Sequence, residues 1–468
     1  MSQLRQTASP MYLTGIVLVA VLGGLLFGYD TAVISGAESG LQSFFSAAPD
    51  FAYTDALHGF TTASALIGCV VGALLSGLLS ARFGRKRTLF VAGILFLLSA
   101  LGSGYPHALF FGSDAPSRAL LAAFNAYRIL GGIGVGLASA ICPMYIAEVT
   151  PAGRRGKMVS WNQFAIIFGQ LVVYFVNFLI IRSHISDPAL ADWTAQVGWR
   201  LMFVSEAVPA ALFALLILTV PESPRYLVLS SREDEALRVL ANINGEARAR
   251  EILSQIKETV VEKTEPLFAY GFLVIFIGCM LSVFQQIIGI NAVLYFAPRI
   301  FESLGVTDNM LFTVIMGIIN ISFTLVAVFT VEKLGRKPLL ISGSIGMAIG
   351  AFAVALSNIA ALPAWVPVAG IMLYSASFMF SWGPICWVYI SELFPNTIRS
   401  QATAVAVAFQ WVFNFIVSST FVPLYNHSHF VAYALYGIIC VAAAIFVWRL
   451  VPETKGKTLE EMSRLWKQ

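Results

Sequence analysis

The chain has 468 residues, 58% of them hydrophobic and 12% charged, with a formal net charge of +4 and a mean hydropathy of +0.79. Soluble domains carry roughly 25% charged residues, so these values exclude a globule with a single anchor and indicate a chain that crosses a membrane many times. The small positive balance does not indicate nucleic-acid binding. The five cysteines, Cys69, Cys142, Cys279, Cys386 and Cys440, form no CxxC pair and sit in or beside apolar runs, as small buried hydrophobes do.

A helical span takes about 20 apolar residues. Six are predicted before Pro221: Met11–Ile34, Leu57–Leu79, Thr88–Gly104, Ala119–Ala147, Met158–Ile181 and Trp199–Val220. The first is too long for the apolar core of a cleaved leader and lacks an A-x-A exit, so it is expected to remain as a span. It contains Asp30. A charge at the bilayer centre costs about 2.5–3.5 kcal/mol on insertion scales, and such residues are rare and usually functional. Arg128 in the fourth predicted span and Glu206 in the sixth carry the same cost.

A polar segment, 221–266, comes next. It is dense in Arg, Glu and Lys, and Ala236, Leu237, Leu240 and Ile243 recur at helical spacing. Short amphipathic helices in the cytoplasm are expected there, either as a gate latch or as a solvated linker. Six further spans are predicted after it: Leu267–Ala297, Leu311–Val331, Leu339–Ser357, Trp365–Ser391, Ala402–Leu424 and Phe430–Val451. The expected organisation is a six-helix bundle over 1–220, the linker, a second bundle over 267–452 and a cytoplasmic tail over 453–468.

The two bundles repeat one another. RFGRK at Arg82–Lys86 returns as KLGRK at Lys333–Lys337, Glu148, Pro151 and Arg155 return as Glu392, Pro395 and Arg399, and PESPR at Pro221 returns as PETKG at Pro452. All three offsets lie near 240 residues, which argues for duplication. A six-span unit ends on the side where it began, so the copies are parallel repeats about an axis normal to the membrane. Lys and Arg concentrate in the loops after spans two, four, eight and ten; Arg118 and Arg182 are the main exceptions. Those loops are expected in the cytoplasm, together with both termini, in a bacterial inner membrane.

Polar side chains inside the spans form a second group of candidates. The seventh span carries FQQIIGINAVLYFAP, with Gln285, Gln286, Asn291 and Tyr295. Buried carboxamides are costly unless satisfied, and each offers two donors and an acceptor. A monosaccharide presents donors and acceptors around a ring without charge, so amides match it better than carboxylates. Gly289 and Pro298 let this helix bend or break. Gln163 and Gln170 are seven apart and share a helix face; Asn320 and Gln410 lie in spans eight and eleven. Phe27, Trp382, Trp387 and Trp411 are aromatic candidates for the C–H face of a sugar, and Gly383-Pro384 is expected to break span ten.

Taken in order, these motifs resemble the major facilitator superfamily. The GRK loops with Glu148…Arg155, Pro221-Glu222-Ser223-Pro224-Arg225, Glu332, Arg336, Glu392…Arg399 and Pro452-Glu453-Thr454 narrow the resemblance to its sugar porters. Ala81 departs from the pattern, which often has an acid there. GGLLFGYDTAVISG, NQFAIIFGQ, RILGGIGVGLAS and SWGPICWV resemble the bacterial D-xylose:proton symporters most closely. The resemblance implies an all-α fold of 12 transmembrane helices. It implies sugar contacts at Gln163, Gln170, Gln285, Gln286, Asn291, Tyr295, Asn320, Gly383, Trp387, Gln410, Trp411 and Phe27. It places Asp30 near Arg128, with Glu206 as a competing acid, so that Asp30 takes a proton outside and releases it inside. A cytoplasmic gate is expected from Arg82, Arg85, Glu148, Arg155, Glu222, Arg225, Glu332, Arg336, Glu392, Arg399 and Glu453, pairing across the two halves.

The expected function is proton-coupled import of D-xylose, with glucose, galactose or arabinose symport, or facilitated sugar diffusion, as alternatives on the same fold. The carboxamide cluster argues against a pump for apolar cations. An enzyme is not expected. There is no HExxH, and Gly456-Lys457-Thr458 lacks the upstream glycine of a nucleotide loop because position 451 is Val. No metal, cofactor or nucleic acid is expected, and the bundle needs no partner subunit beyond lipid, sugar and proton.

Overall fold

Inside hydrocarbon no water satisfies the backbone, so apolar runs long enough to cross it become helices. The computed structural model describes residues 10–108, 113–151, 154–184, 189–259, 265–360, 362–395 and 397–455, and among them there is helix but no strand. Five helices cross as single rods: α1 (Pro10–Ser46), α2 (Asp55–Phe83), α3 (Arg85–Gly104), α4 (Arg118–Val149) and α5 (Arg155–Arg182). The sixth crossing is assembled from α6 (Leu190–Trp193), a π-turn at Thr194–Gly198, α7 (Trp199–Ser205) and α8 (Ala207–Leu216). Linker helices α9 (Pro224–Leu229), α10 (Glu233–Asn244) and α11 (Glu246–Thr259) follow. The seventh crossing is α12 (Phe272–Ile287) with α13 (Ile290–Tyr295), continued by α14 (Ala297–Ser303). Then come α15 (Asn309–Leu334), α16 (Arg336–Ala360), α17 (Trp365–Phe380), α18 (Trp382–Leu393), α19 (Arg399–His427) and α20 (His429–Leu450), with α17 and α18 sharing one crossing. Twelve candidate spans result, long and apolar enough to cross a membrane.

Several predicted boundaries move for physical reasons. The apolar run that ends at Ile34 continues as helix to Ser46, because Ser35 and Glu38 are buried against other helices instead of facing water. The predicted span from Leu267 starts at Phe272, after Gly271 with φ of +86°. It breaks at Gly289, whose φ of +94° lies in the left-handed region that favours glycine. Span ten breaks at Ser381, two residues before the predicted Gly383. A proline ring clashes with the carbonyl four residues earlier, here Phe380, so the first helix must end by that residue and Pro384 falls in the first turn of the next.

Helices within each half pack closely where side chains are small. A Cβ on Gly132 of α4 would lie 1.7 Å from the Ala65 carbonyl oxygen of α2, so glycine is required for this approach. Between the halves, α1 meets α13 and α14, α2 meets α19, and α5 meets α15. In the linker, Leu240, Ala241 and Ala249 form a small core under Leu237, Ile252, Leu253 and Ile256, and Lys257 pairs with Glu233 at 2.5 Å. The amphipathic expectation is met there: α10 and α11 pack on each other.

Candidate functional site

Where α1, α5, α12, α13, α18 and α19 converge, a cavity is lined by Phe27, Gln163, Gln170, Gln285, Gln286, Asn291, Tyr295, Gly383, Trp387, Gln410 and Trp411. The break at Gly289 sets Asn291 and Tyr295 on a separate short helix from Gln285 and Gln286, so all four reach one space. Gln285 orders the group. Its Nε2 donates to the Trp382 carbonyl at 2.9 Å and to that of Gly383 at 3.3 Å, and its Oε1 accepts from Gln410. These carbonyls are accessible because α18 has only begun there. Asn291 Nδ2 donates to Gln286 Oε1 at 2.6 Å. The Phe27 and Trp411 rings lie 5.6 Å apart between centroids, tilted by 51°. Gln170 Oε1, Gln410 Oε1 and Trp411 Nε1 are buried without a hydrogen-bond partner among the described residues. The lining therefore presents two acceptors and one donor beside a pair of aromatic faces.

Two sequence candidates sit elsewhere. Asn320 of α15 is not in the lining; its Oδ1 accepts from Ser375 of α17 at 2.6 Å. Trp382 is fully buried, and its Nε1 donates to Ser344 at 2.8 Å and to the Leu340 carbonyl at 3.1 Å, which fixes α18 on α16. The lining also contains Thr31, Ile166, Ile167, Leu294, Phe378, Met379 and Asn414, which sequence reasoning did not single out. Thr31 lies four residues past Phe27 and Asn414 four past Gln410, so helical spacing around the chosen residues was the available signal.

Beside the cavity, in the first half alone, lie the three intramembrane charges. Arg128 Nη1 donates to Asp30 Oδ1 at 2.6 Å and Nη2 to the Asp30 carbonyl at 3.1 Å. The guanidinium lies over the Phe203 ring at 5.1 Å. Asp30, Arg128 and Glu206 are all buried to 2% exposure or less. Glu206 lies against Asp30, and neither Glu206 oxygen nor Asp30 Oδ2 receives a hydrogen bond from any described donor. With both acids ionised the triad carries a charge of −1; one bound proton makes it neutral. Burying an uncompensated charge is expensive, and like charges in contact disfavour one another.

At the ends that carry the basic loops each half has its own latch. In the first, Arg85 Nη2 donates to Glu148 at 2.8 Å, Ser223 Oγ donates to Glu148 at 2.5 Å, and Glu222 accepts from the backbone N–H of Arg85 at 3.0 Å and of Lys86 at 3.2 Å. In the second, Arg336 Nη2 donates to Glu392 at 2.8 Å, Thr454 Oγ1 donates to Glu392 at 2.6 Å, and Glu453 accepts from the N–H of Arg336 at 3.1 Å and of Lys337 at 2.9 Å. Burial alone would raise the Glu453 carboxyl, but the N–H groups of Lys455, Arg336, Lys337 and Thr454 hold it below its ordinary value. Arg82 and Arg225 are exposed, and Arg399 donates to the Phe394 carbonyl of its own half. The side chains of Arg155 and Glu332 lie outside the described residues. The expected pairing across the halves is not what the described latches do: each closes within its own half. The repeat explains this, since each copy carries its own arginine, helix-end acid and PE motif.

The halves are joined instead at the opposite ends. Arg299 of α14 donates to Glu38 of α1 at 2.6 Å, Asn426 of α19 donates to Asp55 of α2 at 2.8 Å, and Arg182 pairs with Asp308 at 3.6 Å. These contacts tie the two halves together on that side of the cavity.

Comparison with known proteins gives the same picture over almost the whole chain. Residues 16–466 match the family model described as "Sugar (and other) transporter". The D-xylose-proton symporter of Escherichia coli is 48% identical over 97% of this chain and 96% of its own length. The glucose facilitated diffusion protein of Zymomonas mobilis is 37% identical over 97% of both. Among solved structures, a partially occluded inward open conformation of the xylose transporter XylE from E. coli superposes with a TM-score of 0.87 at 47% identity, covering 96% of this chain and 100% of that one.

Proposed function

The chain belongs to the sugar transporter family of the major facilitator superfamily, and on that premise we propose that it imports D-xylose together with a proton by alternating access. One observation carries the proton coupling: a buried arginine is bonded to Asp30 while a second acid, Glu206, lies against the same carboxylate. An arginine neighbour favours the ionised acid, and its withdrawal into a dry environment favours the protonated one. In the state seen here the outer side is sealed and Asp30 is paired, which is the form that has given its proton to the inside. Opening outward separates Asp30 from Arg128, and Asp30 then takes a proton from outside. The sugar enters the carboxamide cavity, Gln285 and its neighbours exchange mutual bonds for bonds to hydroxyls, and Phe27 and Trp411 cover an apolar face of the ring.

The substrate assignment rests on this cavity being uncharged and on the identity to a D-xylose-proton symporter. The gradient suffices: one proton moving down 100 mV supplies about 2.3 kcal/mol, enough for roughly 50-fold accumulation at 1.4 kcal/mol per tenfold. The basic loops after spans two, four, eight and ten place both termini in the cytoplasm by the positive-inside rule. The chain acts in a bacterial inner membrane as a monomer, since both sites lie within one copy. Uptake of labelled pentoses and hexoses into proteoliposomes at two external pH values tests the reading. D-xylose is expected to accumulate, and more so with acid outside; equilibration without accumulation at either pH contradicts it.

A further inference from the structure

Where the halves are joined, one buried acid is held by a histidine of its own half and an arginine of the other. Glu38 of α1 is 1% exposed and His58 of α2 is fully buried. His58 Nε2 lies 3.0 Å from Glu38 Oε2, and Tyr53 Oη lies 3.1 Å from His58 Nδ1. From the other half, Arg299 donates to both Glu38 oxygens, at 3.0 and 2.6 Å, and also to Gln42. An ionised carboxylate only accepts, so His58 Nε2 carries a hydrogen. Burial pushes the Tyr53 hydroxyl well above its ordinary value, so it remains a donor for His58 Nδ1.

Charge counting then separates the two states of this gate. Shut, Glu38 and Arg299 cancel and His58 is neutral; protonating His58 would leave a buried, uncompensated positive charge. When the halves part on this side, Arg299 leaves with α14 while Glu38 and His58 stay together on the first half. Glu38 then lacks a counter-ion, and a protonated His58 supplies one. We propose that Glu38 exchanges partners in each transport cycle, Arg299 when the outer side is shut and protonated His58 when it is open. The proton comes from the outer medium on opening and returns to it on closing, so it is not transported. It makes outer opening sensitive to external pH, independently of Asp30. Acid favours the open form, by at most about tenfold per pH unit for one proton.

The other titratable and charged groups around His58 are few. Asp55 of α2 accepts from Gln42 of α1 and Asn426 of α19. Tyr425 of α19 interacts with Arg299, and His429 of α20 stacks on Tyr425 at 4.0 Å. His429 touches neither Glu38 nor Arg299 in this arrangement, so it is the natural control.

The inference rests on the alternating-access part of the proposed function but not on proton symport. It is tested on the full chain in liposomes with Asp30→Asn to remove that titration and Cys279→Ser to prevent stray labelling. Spin labels at Ser46→Cys and Glu302→Cys, exposed at the ends of α1 and α14, report the outer gap without sugar. From pH 8 to pH 5 the long-distance population should grow several-fold. His58→Gln, which keeps a donor for Glu38, should abolish the pH response, whereas His429→Gln should leave it intact. Arg299→Gln should open the gap already at pH 8. Should His58→Gln not fold, Glu38→Gln replaces it and should also lose the response. A flat profile in the His58-containing protein, or an unchanged profile in His58→Gln, overturns the proposal. Failure of the symport reading shows separately, as undiminished sugar accumulation in the Asp30→Asn protein.

Discussion

The two halves carry the same latch and different centres. Arg85–Glu148–Glu222 and Arg336–Glu392–Glu453 are near copies, down to the acid that accepts consecutive backbone N–H groups at the start of a helix. At mid-membrane the copies part company. The first half buries three charges, Asp30, Arg128 and Glu206, while the second buries uncharged amides, Gln285, Gln286 and Gln410, with Asn291 half-buried beside them. Duplication kept the latch in each bundle and let the centres diverge, which on the proposed reading puts proton handling in one half and most sugar contacts in the other. Phe27, Gln163 and Gln170 are where the first half reaches across, and they bring the two functions within one helix turn, since Phe27 lies three residues before Asp30.

The division can be broken from either side. The largest effect is expected for Asp30→Asn: accumulation of D-xylose falls from tens of fold to none, while counterflow between labelled and unlabelled sugar persists. Retained accumulation in that variant would show that the charge is not the coupling group. Next is Gln285→Ala, which removes the residue that ties Gln286 and Gln410 to the start of α18. Leaving buried polar partners unmet costs about 1–3 kcal/mol, so sugar affinity measured by calorimetry should weaken about 10- to 100-fold. The Asp30–Arg128 side should be untouched, with unchanged pH dependence of whatever transport remains.

Smaller effects sharpen the comparison at the latches. Glu148→Gln and Glu392→Gln remove equivalent acids, so each should lower the thermal midpoint by a few degrees, and by similar amounts. A large inequality between them would refute the equivalence of the two latches. The smallest effect concerns pH. The Glu453 carboxyl sits below its usual value of about 4.3. A depressed acid contributes stability that is present above the unfolded pKa and lost as pH falls through the folded one. Amide exchange at Arg336 and Lys337, corrected for intrinsic rates, should therefore stay slow down to mildly acid pH and speed up only below the ordinary carboxylate range. In Glu453→Gln it should be faster at neutral pH.

Much of this was legible in the chain. The spans, the duplication and the three intramembrane charges announce themselves because charge is costly in hydrocarbon and apolar runs have a minimum length. Gln285, Gln286 and Asn291 stand out for the same reason. What escaped depends on contacts between distant segments. Glu38 lies past the apolar run that ends at Ile34, so it reads as a loop acid until α1 is seen to continue to Ser46. Its partners His58 and Arg299 are 20 and 261 residues away in sequence. The latch partners were identifiable but their pairing was not, because a repeated motif gives each arginine two equivalent acids, and only packing selects the one in its own half. Thr31 and Asn414 are single polar residues of the kind that any long helix tolerates.

The most direct measurement is the pH of a weakly buffered suspension of proteoliposomes as sugar is added outside. The account predicts immediate alkalinisation of the medium on addition of D-xylose, one proton per sugar taken up, and none with the Asp30→Asn protein. Sugar entry with no change in external pH would contradict it.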